Sequence, residues 1–308
     1  MTETQKGYVA LLIAQTAWGL SPLYYKAVAD VPAFEVLAHR TLWTCLLFGL
    51  WIGLQGRLGE LRALMTGPQA GKVLAAALFV SVNWGLFIYA IQSGQALEAA
   101  FGYYIFPLVA TVIGMAMFRE RLSGLQYAAL GLAALAVVVL SVGLGALPWI
   151  ALTLAVTFSI YGAIKKTLDA GPILSVTAEV VLLLPIALVW LVGAYLAGWG
   201  GTEAQPAGAF GHSLKDTVLL IFSGLITGVP LIFFTAAARR LPLTVVGMGQ
   251  YWNSTLQFLV AVLIFAEPFT HWHAIAMPLI WIALALYTVE AFRREALSRK
   301  ARKATRTV

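Results

Sequence analysis

FRERLSGLQY at residues 118–127 and FAEPFTHWHA at 265–274 hold the same place in two copies of one unit. Phe118 falls on Phe265 and Glu120 on Glu267. The register holds at an offset of 147 across residues 83–142 and 230–289, where Gly102 meets Gly249. Further upstream the offset is near 143, and Trp18-Gly19 falls on Tyr161-Gly162. Each copy reads as five long apolar segments. Five is odd, so the second copy must enter a membrane from the opposite side to the first. The charges around the motif agree with this. Glu120 sits between Arg119 and Arg121, whereas Glu267 sits beside Pro268 with no Lys or Arg nearby. An inverted repeat of this kind lets two halves expose one central site to each side in turn, which is a transporter architecture.

Composition points the same way. The chain has 308 residues, 61% of them hydrophobic and 11% charged, with a mean hydropathy of +0.87. A soluble domain carries about a quarter charged residues. Too few charges exist here to cover a water-facing surface, and disorder needs low hydrophobicity. The single Cys45 excludes an internal disulfide and a Cys-based metal site. No phosphate loop, HExxH or Gly-x-Ser-x-Gly is present, so neither a metal nor a cofactor is expected. His212, His271 and His273 read as residues in or beside surface loops.

A spanning helix needs about 20 mainly apolar residues. Ten stretches meet this between charge clusters and Gly/Pro breaks: 6–28, 33–54, 72–93, 96–118, 124–143, 147–166, 172–196, 216–238, 243–265 and 272–292. The expected fold is therefore an all-α integral membrane protein of ten helices arranged as a 5+5 inverted repeat. Residues 1–143 form the first repeat, 144–292 the second, and 293–308 a basic tail. Long uninterrupted apolar runs exclude β spans.

Lys and Arg fix the orientation. With the N-terminus cytoplasmic, the inner segments carry Lys6, Arg57, Arg62, Lys72, Arg119, Arg121, Lys165, Lys166, Arg239, Arg240 and seven tail residues. The outer ends carry Lys26 and Lys215, and Arg40 lies within a span. Seventeen against two is a strong positive-inside bias. The tail after a hydrophobic helix marks the cytoplasmic side and is not expected to bind nucleic acid. Ala27-Val28-Ala29 resembles a cleavage site. The preceding segment is interrupted by Trp18-Gly19 and Ser21-Pro22 and has a counterpart in the second half, so it is expected to be retained.

Together with this architecture, several motifs carry a family resemblance: AWGLSPLYYK at 17–26, VLAHRTLW at 36–43, NWGLFIYA at 83–90 and LEAAFGYYIFPLV at 97–109. They continue with RERLSGLQY at 119–127, VPLIFFTAAARRLPL at 229–243, QYWNSTLQFLVAV at 250–262 and AEPF at 266–269. The chain resembles the EamA-type branch of the drug/metabolite transporter superfamily, and within it the RarD-like proteins, over residues 6–292. QYWNST at 250–255 is more polar than that pattern. The resemblance implies a basket-like bundle with a central cavity, in a bacterial inner membrane, with both termini cytoplasmic. It does not fix a substrate.

Polar groups inside a membrane are costly and face the bundle interior or a wet cavity. On the second span Glu35 and His39 share a face, while Arg40 points about 100° away. His39 or Arg40 is a candidate to bind substrate anion or couple a proton. The alternative is an internal ion pair of Arg40 with Glu179 or Glu35. Glu179, the one acid deep in the seventh span, falls near His39 under the repeat and is a second proton-coupling candidate. On the ninth span Gln250, Asn253, Ser254 and Gln257 follow i, i+3, i+4, i+7 spacing and form one polar stripe. Their repeat mates Tyr103, Phe106, Pro107 and Ala110 form an aromatic and apolar wall. A cavity between the two suits a small amphipathic or amino-acid-like solute. Asn83, Trp84 and Tyr24 add polar and aromatic candidates. Trp18 and Trp84 with Tyr103, Tyr161 and Tyr251 are candidates for an aromatic box, which would instead favour a quaternary or aromatic amine. Gly19 with Pro22, and Gly228 with Pro230, read as hinges within spans. A remote alternative is an intramembrane enzyme using Glu35 or Glu179 with His39. The expected partners are thus a small-molecule substrate, the lipid bilayer and protons. The oligomeric state is not legible.

Overall fold

A computed structural model describes residues 1–118, 122–241 and 243–306, except for the side chains of 118, 243–244 and 294–306. Twelve α-helices follow one another: α1 Glu3–Gly19, α2 Ser21–Ala27, α3 Ala33–Leu54, α4 Leu58–Thr66, α5 Ala70–Gln92 and α6 Ala96–Phe118. The second set is α7 Gly124–Leu144, α8 Trp149–Lys166, α9 Pro172–Ala197, α10 Leu214–Ala238, α11 Leu243–Leu259 and α12 His271–Arg306. A π-helical turn, Val260–Ile264, continues α11. Arg119, Glu120 and Arg121 of the repeat motif lie outside the described residues.

Among the described residues, seven helices are long and apolar enough to cross a membrane: α3, α5, α6, α7, α9, α10 and α12. The other three expected spans are helical but shorter or interrupted. The first breaks after Gly19, and Pro22 opens the first turn of a separate helix. Its missing N–H is harmless there, so Pro22 starts α2 and does not kink a continuous span. The sixth, α8, has 18 residues and ends on Lys165 and Lys166. The ninth runs 17 α-helical residues before its hydrogen bonding shifts to the π pattern. Capping boxes start α1 at Thr2 with Gln5 and α7 at Ser123 with Gln126. Left-handed glycines end α7 at Gly145 and α9 at Gly198. At these helix ends the protein itself supplies partners for otherwise unpaired backbone groups. Leu50, Val142, Ile186, Val189 and Ile282 point outward, which gives a chain this apolar its lipid-facing surface.

Helix packing runs in matched pairs. α6 packs on α8 as α11 packs on α1; α5 packs on α8 as α10 packs on α1; α7 pairs with α12, and α3 with α9. One large cluster fills one end of the bundle, beside a small one of Ala38, Ala187 and Leu191 between α3 and α9. Tyr25, Val36, Phe87, Tyr104, Leu140, Ile150, Leu220 and Ile280 belong to the large cluster. At the other end the core divides. Ile52, Leu61, Val73 and Leu174 form one cluster, and Ala10, Leu11, Ala237 and Val246 another. The space between these two clusters is the site.

Candidate substrate cavity

A cavity of about 1350 Å³ lies in the middle of the bundle. Its walls come from positions that match across the repeat. At the offset of 147, Val80 and Thr227, Trp84 and Leu231, Phe87 and Phe234, Tyr103 and Gln250, Phe106 and Asn253, and Ala110 and Gln257 are all lining pairs. At 143, Gln15 pairs with Phe158 and Trp18 with Tyr161. The cavity reaches the end of the bundle where Lys165, Pro172, Val246 and Phe292 lie. Starts of α6, α8 and α12 at the opposite end contribute nothing to it.

At that opposite end carboxylates bind main-chain amides. Glu267 accepts from Ala96 N at 2.8 Å and Leu97 N at 2.7 Å, the first amides of α6. Glu98 accepts from Ile150 N at 2.9 Å at the start of α8. Glu35, fully buried, accepts from Gly208 N and Ala209 N, both at 2.8 Å. Anions at helix N-termini complement unpaired N–H groups and the helix dipole. Delivery of Glu267 is local: the π turn ends on Phe265 N to Val260 O, and Ala266 then adopts φ 53°. A non-glycine residue in the left-handed region carries a steric cost, and here it aims the carboxylate across to α6.

Of the residues expected at a site, Trp18, Arg40, Trp84, Tyr103, Tyr161, Gln250, Tyr251, Asn253 and Gln257 line the cavity. The rest are placed elsewhere. Ser254 is fully buried off the cavity, with its hydroxyl unpartnered. It is the repeat mate of Pro107, whose ring does reach the space. The Tyr24 hydroxyl donates to the Leu219 carbonyl at 2.7 Å and ties α2 to α10. Asn83 lies just behind the wall. Its amide donates to Leu154 O at 2.9 Å and Thr157 Oγ1 at 3.0 Å, and its carbonyl accepts from the Tyr103 hydroxyl at 2.9 Å. His39 stacks on Phe210 at 5.1 Å, with neither ring nitrogen hydrogen-bonded.

The expected ion pairs of Arg40 do not form. Glu35 is occupied by the loop after α9, and Glu179 pairs instead with Lys165 at 2.6 Å. The Tyr161 hydroxyl donates to the other Glu179 oxygen at 3.2 Å, and Lys165 also reaches Ser175. No pairing of His39 with Glu35 or Glu179 exists, so the enzymatic constellation is not assembled. Lys165 is the charged lining residue that sequence reading misses, because at a helix end it counts as a flanking charge; Gln15, Thr227 and Thr288 also line the cavity, and sequence reading does not single them out. The signal for Lys165 was present: the deepest acid of α9 needs a cation, and Lys165 stands fourteen residues before it. Of the hinge candidates, Gly19 abuts α11, where an added Cβ would lie 2.7 Å from Leu256 Cβ. Gly228 faces Leu47 and Phe48 of α3, and Pro230 lies inside α10.

The EamA-like transporter family profile matches residues 5–142. The chain is 39% identical to an uncharacterized transporter of Pseudomonas aeruginosa, covering 94% of this chain and 95% of that protein. It is 38% identical to protein RarD of Streptomyces exfoliatus, over 96% of this chain and 92% of the relative. Protein RarD of Escherichia coli is 36% identical, over 94% and 96%. One protein of known crystal structure superposes with a TM-score of 0.58 at 18% identity, covering 93% of this chain and 98% of that one, which shows a shared fold.

Proposed function

The chain belongs to the EamA-like transporter family, in its RarD-like branch, and from that premise we propose that this multi-pass membrane transporter moves a small amphipathic or amino-acid-like metabolite by alternating access. One observation carries the reading: repeat-related residues 147 apart line one and the same cavity. A central site built from equivalent positions of two opposed halves is what exchange between two faces requires. The matched helix pairs support counting α1 with α2, α8, and α11 with its π turn as the three further spans of a 5+5 bundle.

The positive-inside bias assigns the open end, with Lys165 and Phe292, to the cytoplasm. It assigns the carboxylate-closed end to the outer side of a bacterial inner membrane. The described conformation is then inward-facing, and transport requires release of the contacts of Glu267, Glu98 and Glu35. Energy comes from a solute gradient, exchange or protons. The aromatic lining is the observation favouring a second reading, transport of a quaternary or aromatic amine.

Screening metabolites by thermal shift of the purified protein, followed by counterflow of each hit in proteoliposomes, tests the reading. A ligand bound only by the folded state raises the melting temperature with its concentration. Gln250→Ala and Asn253→Ala should each weaken binding of a hit by roughly fivefold, the worth of about one hydrogen bond, with the protein still folded. Unchanged affinity in both variants would remove the polar stripe from the substrate path.

A further inference from the structure

Two cationic side chains line the cavity among the described residues, and no acidic one does. Lys165 is neutralised by Glu179. Arg40 is not. It is 6% exposed, its Nε donates to Thr227 Oγ1 at 2.6 Å, and its Nη1 donates to the Tyr25 hydroxyl at 2.8 Å. Both partners are neutral. Among the described residues no carboxylate lies within ion-pair distance of it. A guanidinium offers five N–H donors in a planar fork. Two are used here, which leaves three, both on Nη2 among them, for the cavity. An unpaired charge inside a membrane protein is costly and calls for a partner.

We infer that Arg40 anchors the carboxylate of a singly charged organic anion whose apolar body packs along the aromatic wall; this deepens the transporter reading above and rests on it. The fork matches a carboxylate with two parallel bonds. One free cation balances one negative charge, so a dicarboxylate or a doubly charged phosphate would leave charge uncompensated. The body would lie against Trp84, Phe87 and Phe106. The same geometry disfavours the amine reading. The Trp84 ring, one of the two tryptophans lining the cavity and of the ring type that holds cations best, already carries the Arg40 guanidinium 4.0 Å from its centroid. A second cation there would meet a like charge and find no lining carboxylate.

The test uses the full chain in lipid nanodiscs and three probes with one aromatic body: 3-phenylpropionate, its neutral amide, and phenethylammonium. Calorimetry should show the carboxylate binding at least tenfold more tightly than either other probe. Arg40→Gln should lower that affinity by roughly tenfold to a hundredfold, the range for a lost hydrogen bond to a charged group, while leaving the neutral amide unchanged and binding phenethylammonium more tightly than the wild type does, since the like charge is gone. Should that variant fail to fold, Arg40→Lys, which keeps the charge but loses the fork, should cost about tenfold. Equal binding of the amide or the amine, undiminished binding in the variants, or no binding of the carboxylate to the wild type overturns the inference. Tight carboxylate binding without counterflow of labelled 3-phenylpropionate would leave the anion site standing and sink the transport reading instead.

Discussion

Gly102 and Gly249 are mates in the repeat, but the missing side chains make room for different neighbours. A Cβ at Gly102 would lie 2.8 Å from the Ala151 carbonyl oxygen and 3.1 Å from Leu154 Cβ. At Gly249 the nearest atom would be Leu11 Cδ1 at 3.0 Å, then Gln15 Cγ at 3.1 Å. Main chain on a packed helix cannot retreat, whereas the end of a leucine side chain can. Gly102→Ala should therefore destabilise the protein by about 1–3 kcal/mol, an overpacking cost, and Gly249→Ala by less than about 1 kcal/mol. Thermal unfolding in detergent reads both, and equal shifts would mean that the α6–α8 crossing yields as readily as the α1–α11 crossing. The alignment of the two glycines is legible in the sequence. Their inequality is not, because it depends on which end of the molecule happens to be closed. The same holds for Arg40: its depth in a span is readable, but its partners, Thr227 and Tyr25, sit on helices whose contact with α3 only the fold reveals.

Helices were the most legible level, since apolar runs bounded by charges and Gly/Pro pairs locate most of them within a few residues. Two departures are local backbone chemistry. Ser21-Pro22 divides the first expected span, and the π turn after Leu259 ends the ninth. A hydropathy pattern carries no information about a shift from i→i−4 to i→i−5 bonding. The function of the turn at Phe265–Glu267 is likewise hidden, since Glu267 could be read only as the mate of Glu120. In the fold it caps α6 with both oxygens. Glu267→Gln keeps one acceptor and sets an amide N–H against a helix N-terminus, so it should weaken this closure by about 1–3 kcal/mol. With Cys45 changed to Ser and Asn253 to Cys, an impermeant thiol reagent added from the closed end should label residue 253 faster when Glu267→Gln is present. Equal labelling rates would show that Glu267 does not hold that end shut.

Across the whole molecule, the division of the core is what makes a cavity possible. One cluster spans both halves at the closed end, and two clusters flank the opening at the other. In the alternating access proposed above, closing the open end would bring Leu174 and its neighbours toward Val246 and Leu11, while α6 and α8 part from each other at the far end. The direction of this exchange across the membrane is a prediction of charge alone. In a Cys45→Ser background, Thr202→Cys should be labelled by an impermeant reagent on intact cells and Thr66→Cys should not. The reverse pattern would invert the assigned topology and make the described state outward-facing. The carboxylates at the closed end bear on how such a protein can diverge. Glu267, Glu98 and Glu35 grip amides of residues 96, 97, 150, 208 and 209, and every amino acid except proline brings the same N–H. The carboxylate contacts themselves therefore ask of those five positions only that none be proline, while Ile150 answers separately to the core and Gly208 to its φ of 79°, and a search for residue pairs that vary together would pass over the contacts proposed to hold this end shut.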